Sequence, residues 1–370
     1  MRRKFWAAAR PPCLCASARR RNAFFLFFCG LLSAALALAD DPPPPERLQW
    51  PVMGTIAAVS APAARAADLP AMRDPVQAVF AQLEKKFSIF LPESDLSRAN
   101  CGAGNGAFVE LSPEVARVLR TALRLSRDSG GVFDPTIGPL MAAWGFRGGS
   151  PRREPTAAEL AAARALVGWT NLIWDAAASN RVRLARPGMR LDLGGIAKGY
   201  AVDAGYDCLR RAGHTDFLVD LGGNLRAHGE AAPGRGGWRT GVRNPFPEGG
   251  ILGTLLLTNG ESVATSGNYE RFVEFGGHRY AHIMDPRIGR PAEGVAGVTV
   301  LAPSGLQCDG LSATLFILGP EEGQRFLALR PGCEALWILD ARPLRLLATP
   351  GFARRFTPLP GAETNLVVMP

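Results

Sequence analysis

The chain has 370 residues, 47% of them hydrophobic and 20% charged, with 42 glycines and 30 prolines. That balance excludes wholesale disorder and a long helical bundle, and glycine without a three-residue period excludes a collagen-like rod. The formal charge is +9, but Arg2, Arg3, Lys4, Arg10, Arg19, Arg20 and Arg21 all precede residue 40 with no acid among them. Taking those seven away leaves +2, so the body carries no broad electrostatic footprint for nucleic acid.

In chain order, Arg19-Arg20-Arg21 precede an apolar run over residues 23–39 that ends in Ala37-Leu38-Ala39. A basic stretch, an apolar stretch and a small-x-small site form an export signal, so residues 1–39 are expected to be cleaved and the mature protein to be periplasmic. The alternative is an uncleaved inner-membrane anchor, since a run of 17 residues is at the lower edge of what spans a bilayer. Residues 40–48, with Pro42-Pro43-Pro44-Pro45, read as an extended spacer. One domain over residues 49–370 follows. Four cysteines remain in it, Cys101, Cys208, Cys308 and Cys333; they allow three pairings, and none has zinc-ligand spacing.

Residues 52–60 read as a strand. Apolar residues at Val76, Val79, Phe80, Leu83 and Phe87 have helical spacing and predict a helix over 75–87. Ser112-Pro113 opens a helix that stops before Gly130-Gly131. Thr156-Ala157-Ala158-Glu159 is a capping box before an alanine-rich helix. Segments 172–175 and 182–184 flank Ser179-Asn180 as a hairpin. A helix is expected over 196–212, a strand over 217–221, and short strands with Gly, Asn and Pro turns from 226 to 300. Helices return over 309–318 and 321–329, and strands over 335–339 and 344–348. Helices and hairpins interleave without a regular βαβ rhythm, so the expected class is α+β.

Several motifs fail. Gly102, Gly104 and Ala107 fit a loose dinucleotide fingerprint but follow no strand, and Gly195-Ile196-Ala197-Lys198-Gly199 lacks the first glycine and the hydroxyl of a phosphate loop. What remains is a series of polar islands in glycine-rich settings: Met53-Gly54-Thr55; Val132-Phe133-Asp134-Pro135-Thr136; Asp192-Leu193-Gly194-Gly195-Ile196-Ala197-Lys198; Thr265 to Arg271; His282-Ile283-Met284-Asp285-Pro286; and Asp309-Gly310-Leu311-Ser312. A Gly-Gly turn entering a helix leaves N–H groups for an anion, and Lys198 adds a fixed charge. Asp309 at a helix start suits a hard cation. Together these suit a polyphosphate. Singly, Asp309 reads as an N-cap, His282 as an ordinary structural histidine and Lys198 as a solvated side chain.

The joint order and spacing, from Met53 to about Gly319, resembles the ApbE-type flavin transferases, the FAD:protein FMN transferase family. The resemblance implies an α+β fold with FAD in a cleft and magnesium at its pyrophosphate. It implies that Met53 lines the flavin cleft, that Val132, Phe133 and Asp134 lie against the adenosine, and that Asp192, Lys198 and Ile283 bind FAD. Gly195, through its backbone carbonyl, and Asp309 would hold magnesium, and His282 would accept the proton of an acceptor hydroxyl. The reaction implied is transfer of FMN from FAD to a Thr or Ser of an acceptor flavoprotein, with release of AMP, and with Lys198 and magnesium offsetting the developing charge. An acceptor seated in the inner membrane would bring the enzyme to that surface. The other readings are an FAD pyrophosphatase and a non-enzymatic flavin-binding protein. The chain departs from the family twice: Phe90 stands where a Tyr is frequent, and Ala313, followed by Thr314, stands where a Thr follows the metal Asp by four residues.

Overall fold

Residues 42–147 and 153–370 are described by the computed structural model; the expected export signal, and Asp40-Asp41 after it, lie outside these residues. Among the described residues, nine strands build one sheet. In spatial order these are Glu46–Val52, Thr55–Ala61, Phe217–Leu221, Asn224–His228, Ser262–Gly267, Val295–Ala302, Glu334–Leu339, Leu346–Ala348 and Leu366–Val368. Each neighbouring pair is antiparallel except the last, which is parallel. Helices pack beside the strands, and the class is α+β as expected.

The helices in chain order are α1 (Leu69–Phe87), α2 (Asp95–Cys101), α3 (Pro113–Asp128), α4 (Gly138–Ala143), α5 (Ala157–Ala165), α6 (Ala197–Arg211), α7 (Gly305–Leu327) and α8 (Pro350–Ala353). The main core joins α1, α3, α6 and α7 to one set of sheet side chains, among them Val59, Val219, Val298 and Val300. The opposite set, including Ala227, Val263, Ala296 and Leu301, packs against a three-stranded sheet of Trp238–Arg243, Ile251–Leu257 and Phe356–Pro358. The alternation of side chains along each strand divides the two cores. A third cluster around Trp144 joins α4 and α5, with the Trp144 indole donating to Gly289 O at 2.9 Å.

Most expected elements are present: α3, α5 with its capping box, α6, the strand Phe217–Leu221, and the hairpin Leu172–Trp174 with Arg181–Leu184. Three boundaries differ. The strand expected over 52–60 is two strands hinged at Met53-Gly54, and the first begins at Glu46, inside the expected spacer. That strand is at the sheet edge and buries only Trp50, so it has little apolar signal. Helix α1 begins at Leu69, not Pro75, because Leu69 and Met72 continue the buried stripe of Val76, Phe80, Leu83 and Phe87 and that burial outweighs the proline. Helix α7 begins at Gly305, where Ser304 Oγ accepts from Gln307 N, so Asp309 lies one turn inside it and is not its cap. The break expected between two helices there is present: the helix is interrupted at Gly319, with φ of 72°, ahead of Pro320, and resumes beyond it.

Candidate active site

Two glycines bring α6 and α7 into backbone contact. A Cβ on Gly199 would sit 2.1 Å from Gly305 O, and one on Gly305 would sit 2.4 Å from Gly199 O. Asp203, one turn along α6 from Gly199, accepts from Gly305 N at 2.7 Å and Leu306 N at 3.0 Å, placing a carboxylate at the N-terminus of α7. Burial pushes the Asp203 carboxyl up, and Arg226, 2.7 Å away, opposes that. The same approach sets Asp309 against the first turn of α6. Its side chain is buried; Oδ2 accepts from Gly199 N at 2.9 Å and Oδ1 lies 3.1 Å from Lys198 Nζ. Thus Lys198 and Asp309, 111 residues apart, form one ion pair at the mouth of the turn that begins at Asp192.

That turn is held from both sides. Asp192 Oδ1 accepts from Gly194 N at 2.8 Å, and Oδ2 accepts from Arg147 Nε at 2.7 Å, with Arg147 Nη2 also 2.7 Å away in the same ion pair. Gly195 then faces Phe133 and Ala313: a Cβ there would be 3.5 Å from the Phe133 ring and 3.9 Å from Ala313 Cβ. Ala313, four residues after Asp309, shares its helix face. Thr314 points elsewhere, fully buried, its hydroxyl donating to Gly310 O at 2.8 Å. Phe133 and Val132 are buried in the loop after α3. The Asp134 carboxylate is taken up within the protein: it accepts from Thr136 N at 2.7 Å, Thr136 Oγ1 at 2.6 Å and Trp169 N at 3.0 Å. Burial raises its pKa against those three bonds. Its geometry is that of a loop brace, so it shapes the wall that Phe133 presents.

His282 completes the group. Its backbone N–H donates to Arg271 O at 3.0 Å, and Nδ1 lies 3.1 Å from the same carbonyl. A carbonyl only accepts, so Nδ1 carries the proton and Nε2 keeps a lone pair. Withdrawal from water, then the charges of Arg271, Lys198 and Arg147, push the His282 pKa down to about 4. The imidazole is therefore neutral at pH 7 and able to accept a proton. Arg271 also reaches across to the hairpin turn, its Nη2 3.5 Å from Gly54 O. Met53 in that turn has φ of 52°, a left-handed conformation rare outside glycine. Ile283 is buried beside His282. Phe90 stands apart: it is 71% exposed on the turn after α1 and joins no ring pair among the described residues.

Lys198 and Asp309 on one side, and Gly195, Asp192, Phe133 and Ala313 on the other, are thus brought together around the first turn of α6, and His282 feels Lys198 and Arg147 electrostatically. Sequence reasoning missed Arg147, Arg271 and Asp203. Arg271 was visible as part of a polar island; Arg147 and Asp203 carried no local signal, because their partners are 45 and about 100 residues away. Among the described residues no group of three or more His, Cys, Asp or Glu could enclose a metal. A divalent ion here would have one carboxylate, Asp309, and would complete its shell with carbonyl, phosphate and water oxygens. That all-oxygen donor set fits magnesium, which keeps waters readily and binds through few carboxylates.

The model of the ApbE family matches residues 53–337. A protein of Rhodobacter capsulatus named FAD:protein FMN transferase is 33% identical over 313 residues, 84% of this chain; the chain spans 58% of that relative's length. A Klebsiella pneumoniae protein of the same name is 36% identical over 285 residues, covering 75% of this chain and 86% of its own. The crystal structure of the ApbE protein from Thermotoga maritima matches with a TM-score of 0.75 at 27% identity, over 85% of this chain and 99% of that one. With the match of sequence running from the Met53 turn through the Trp337 strand, and the same fold over nearly all of a solved relative, this chain belongs to the ApbE family of enzymes.

Proposed function

We propose that the protein is a periplasmic, magnesium-dependent FAD:protein FMN transferase that attaches FMN to a Thr or Ser of an acceptor protein and releases AMP. The observation that carries this is the convergence of three cations, Lys198, Arg147 and Arg271, around a neutral His282 with a free Nε2. Lys198 and Arg147 each share their charge with a carboxylate, Asp309 and Asp192, while Arg271 has none among the described residues, and a pyrophosphate would supply the remaining counter-charge. The turn at Gly194 and Gly195 offers its backbone at the N-terminus of α6, where negative charge is favoured.

The chemistry divides among the residues. The acceptor hydroxyl attacks the phosphorus on the FMN side; the bond from that phosphorus to the bridging oxygen breaks, and AMP leaves with the oxygen. The hydroxyl proton passes to His282 Nε2. Lys198 and Arg147 would offset the charge that redistributes over the phosphoryl group, and positioning plus such fixed charges supply most of the acceleration in phosphoryl transfer. Phe133 and Ile283 supply apolar walls that limit competing water. Asp309 and the Gly195 carbonyl would hold magnesium, which would supply electrophilic charge at the phosphates. Binding of the pyrophosphate would also neutralise the cations that depress His282, raising its basicity when substrate is present.

The test is incubation of the mature protein with FAD, magnesium and a Thr-containing acceptor, followed by intact mass. Gain of one FMN phosphoester on the acceptor is expected. AMP and free FMN without a mass gain would identify an FAD pyrophosphatase instead, and FAD retained intact would identify a flavin carrier. N-terminal sequencing of exported protein should begin at Asp40; finding Phe24 to Phe28 retained would replace cleavage with an anchor.

A further inference from the structure

A second concave surface lies behind the loop that carries Phe133. Residues Arg120, Leu123, Arg124 and Arg127 of α3 form one wall of a cavity of about 430 Å³; Trp169, Trp174, Asp175 and Ser179 form the other. The four α3 residues recur at helical spacing, on the face turned away from the buried Leu119, Ala122 and Leu125. The guanidinium of Arg120 lies over the Trp174 ring, 4.6 Å from its centroid. Neither Arg120 nor Arg124 has a carboxylate partner among the described residues; Arg124 donates only to Thr121 Oγ1, at 2.9 Å. Arg127 has Asp128 at 3.3 Å, and Asp128 also pairs with Arg330. The one acid lining the cavity, Asp175, is paired with Arg181 at 3.0 Å. The groove is therefore a concentrated positive charge on a body that is otherwise near neutral.

We propose that this groove docks an acidic segment of the protein acceptor. Charge complementarity requires an anionic occupant, and guanidinium forks match carboxylates in two-point pairs. The groove suits nucleic acid poorly. Its cations span about 10 Å along the helix, from the rise of about 1.5 Å per residue, and the Trp174 face that a base would stack on is already covered by Arg120. A peptide in the polyproline-II conformation repeats every three residues and advances about 3.1 Å per residue, so acids three positions apart share one side about 9 Å apart and can meet Arg120 and Arg127 together. The location fits an acceptor. Trp169 N donates to Asp134 Oδ2, and Trp169 Nε1 is 3.5 Å from the Cβ position of Gly131, so the groove wall is braced to the loop whose Phe133 faces Gly195. The identity of the partner as acceptor rests on the FMN-transfer reading; the chemistry of the groove does not.

The experiment uses the mature protein and a labelled proline-rich peptide with two Asp three residues apart, which polyproline-II geometry places on one side. Fluorescence anisotropy should show binding that weakens at high salt and falls at least tenfold in the triple variant Arg120→Gln, Arg124→Gln, Arg127→Gln. The single variant Arg124→Gln, at an exposed position, should weaken it less, and Arg239→Gln, on an exposed strand position elsewhere, not at all. With a flavin acceptor the triple variant should raise KM for the acceptor while kcat and FAD affinity stay within about twofold. Failure of the wild-type protein to bind the peptide, equal binding by the triple variant, or tighter binding of a single-stranded oligonucleotide or inorganic phosphate overturns the proposal. If no FMN is transferred to any acceptor, the transfer reading fails while the peptide titration still decides the groove.

Discussion

Replacing Gly199 with alanine should damage stability and the site together. The new methyl carbon would lie 2.1 Å from Gly305 O and 2.7 Å from Asp309 Cβ, whereas real contacts of this kind stay above 3.0 Å. The nearest obstacle is backbone and cannot rotate aside, so α6 and α7 must separate by about an ångström, the scale at which overpacking costs about 1–3 kcal/mol. Separation also stretches the bond from Gly199 N to Asp309 Oδ2, now 2.9 Å, a charge-assisted bond worth about 1.5–3 kcal/mol. A loss of about 3 kcal/mol, or roughly 5–10 °C in Tm, is expected, with transfer reduced at least tenfold because Asp309 and Lys198 no longer hold their spacing. Gly195→Ala is the matched control. Its methyl would meet Phe133 and Ala313 at 3.5 and 3.9 Å, ordinary contact, so stability should stay within about 0.5 kcal/mol. Thermal unfolding and transfer assays on both variants decide it. Wild-type stability and activity in Gly199→Ala would refute the claim that this contact places the carboxylate.

Asp309→Ala should lower transfer by about 10²-fold or more and raise the magnesium requirement, since it removes the one carboxylate of the donor set; activity unchanged at limiting magnesium would exclude it from the site. His282→Ala should cost about 10²–10⁴-fold in rate with FAD affinity within a few-fold; unchanged rate would make the histidine structural. In the free protein the His282 ring should show no titration by NMR from pH 7 to 5 and titrate near 4. Because its folded pKa lies below the unfolded 6.5, its contribution to stability is complete above 6.5 and declines as the pH falls from there toward 4; a midpoint near 6.5 in the folded protein would contradict the burial and charge argument. Ala313→Thr should lower the magnesium concentration for half-maximal activity, and Thr314→Ala should leave it unchanged, because the Thr314 hydroxyl is bonded to Gly310 O. The reverse pattern would make Thr314 the ligand.

The sequence made the local parts legible because local parts leave local patterns. The capping box at Thr156, the hairpin around Ser179-Asn180 and the helix begun by Pro113 each depend on neighbours a few residues away. The polar islands located Lys198, Asp309 and His282 for the same reason, as short motifs. What stayed hidden was produced by distant pairing. The edge strand at Glu46 gains its regularity from its partner strand, not from its own apolar pattern. The start of α7 is set partly by Asp203, an acid on another helix. Arg147 becomes part of the site only because its guanidinium meets Asp192.

The strand Val295–Ala302 is buried at all eight positions and lies between two cores. On one side its valines support the helices that carry Lys198 and Asp309. On the other, the cluster of Trp238, Leu255 and Phe352 contains no residue of the site. Heat tolerance and turnover can therefore drift separately in this lineage. Substitutions in the rear layer change how firmly the central sheet is backed while the reacting groups keep their places, so a search for a hardier form of the enzyme should begin there.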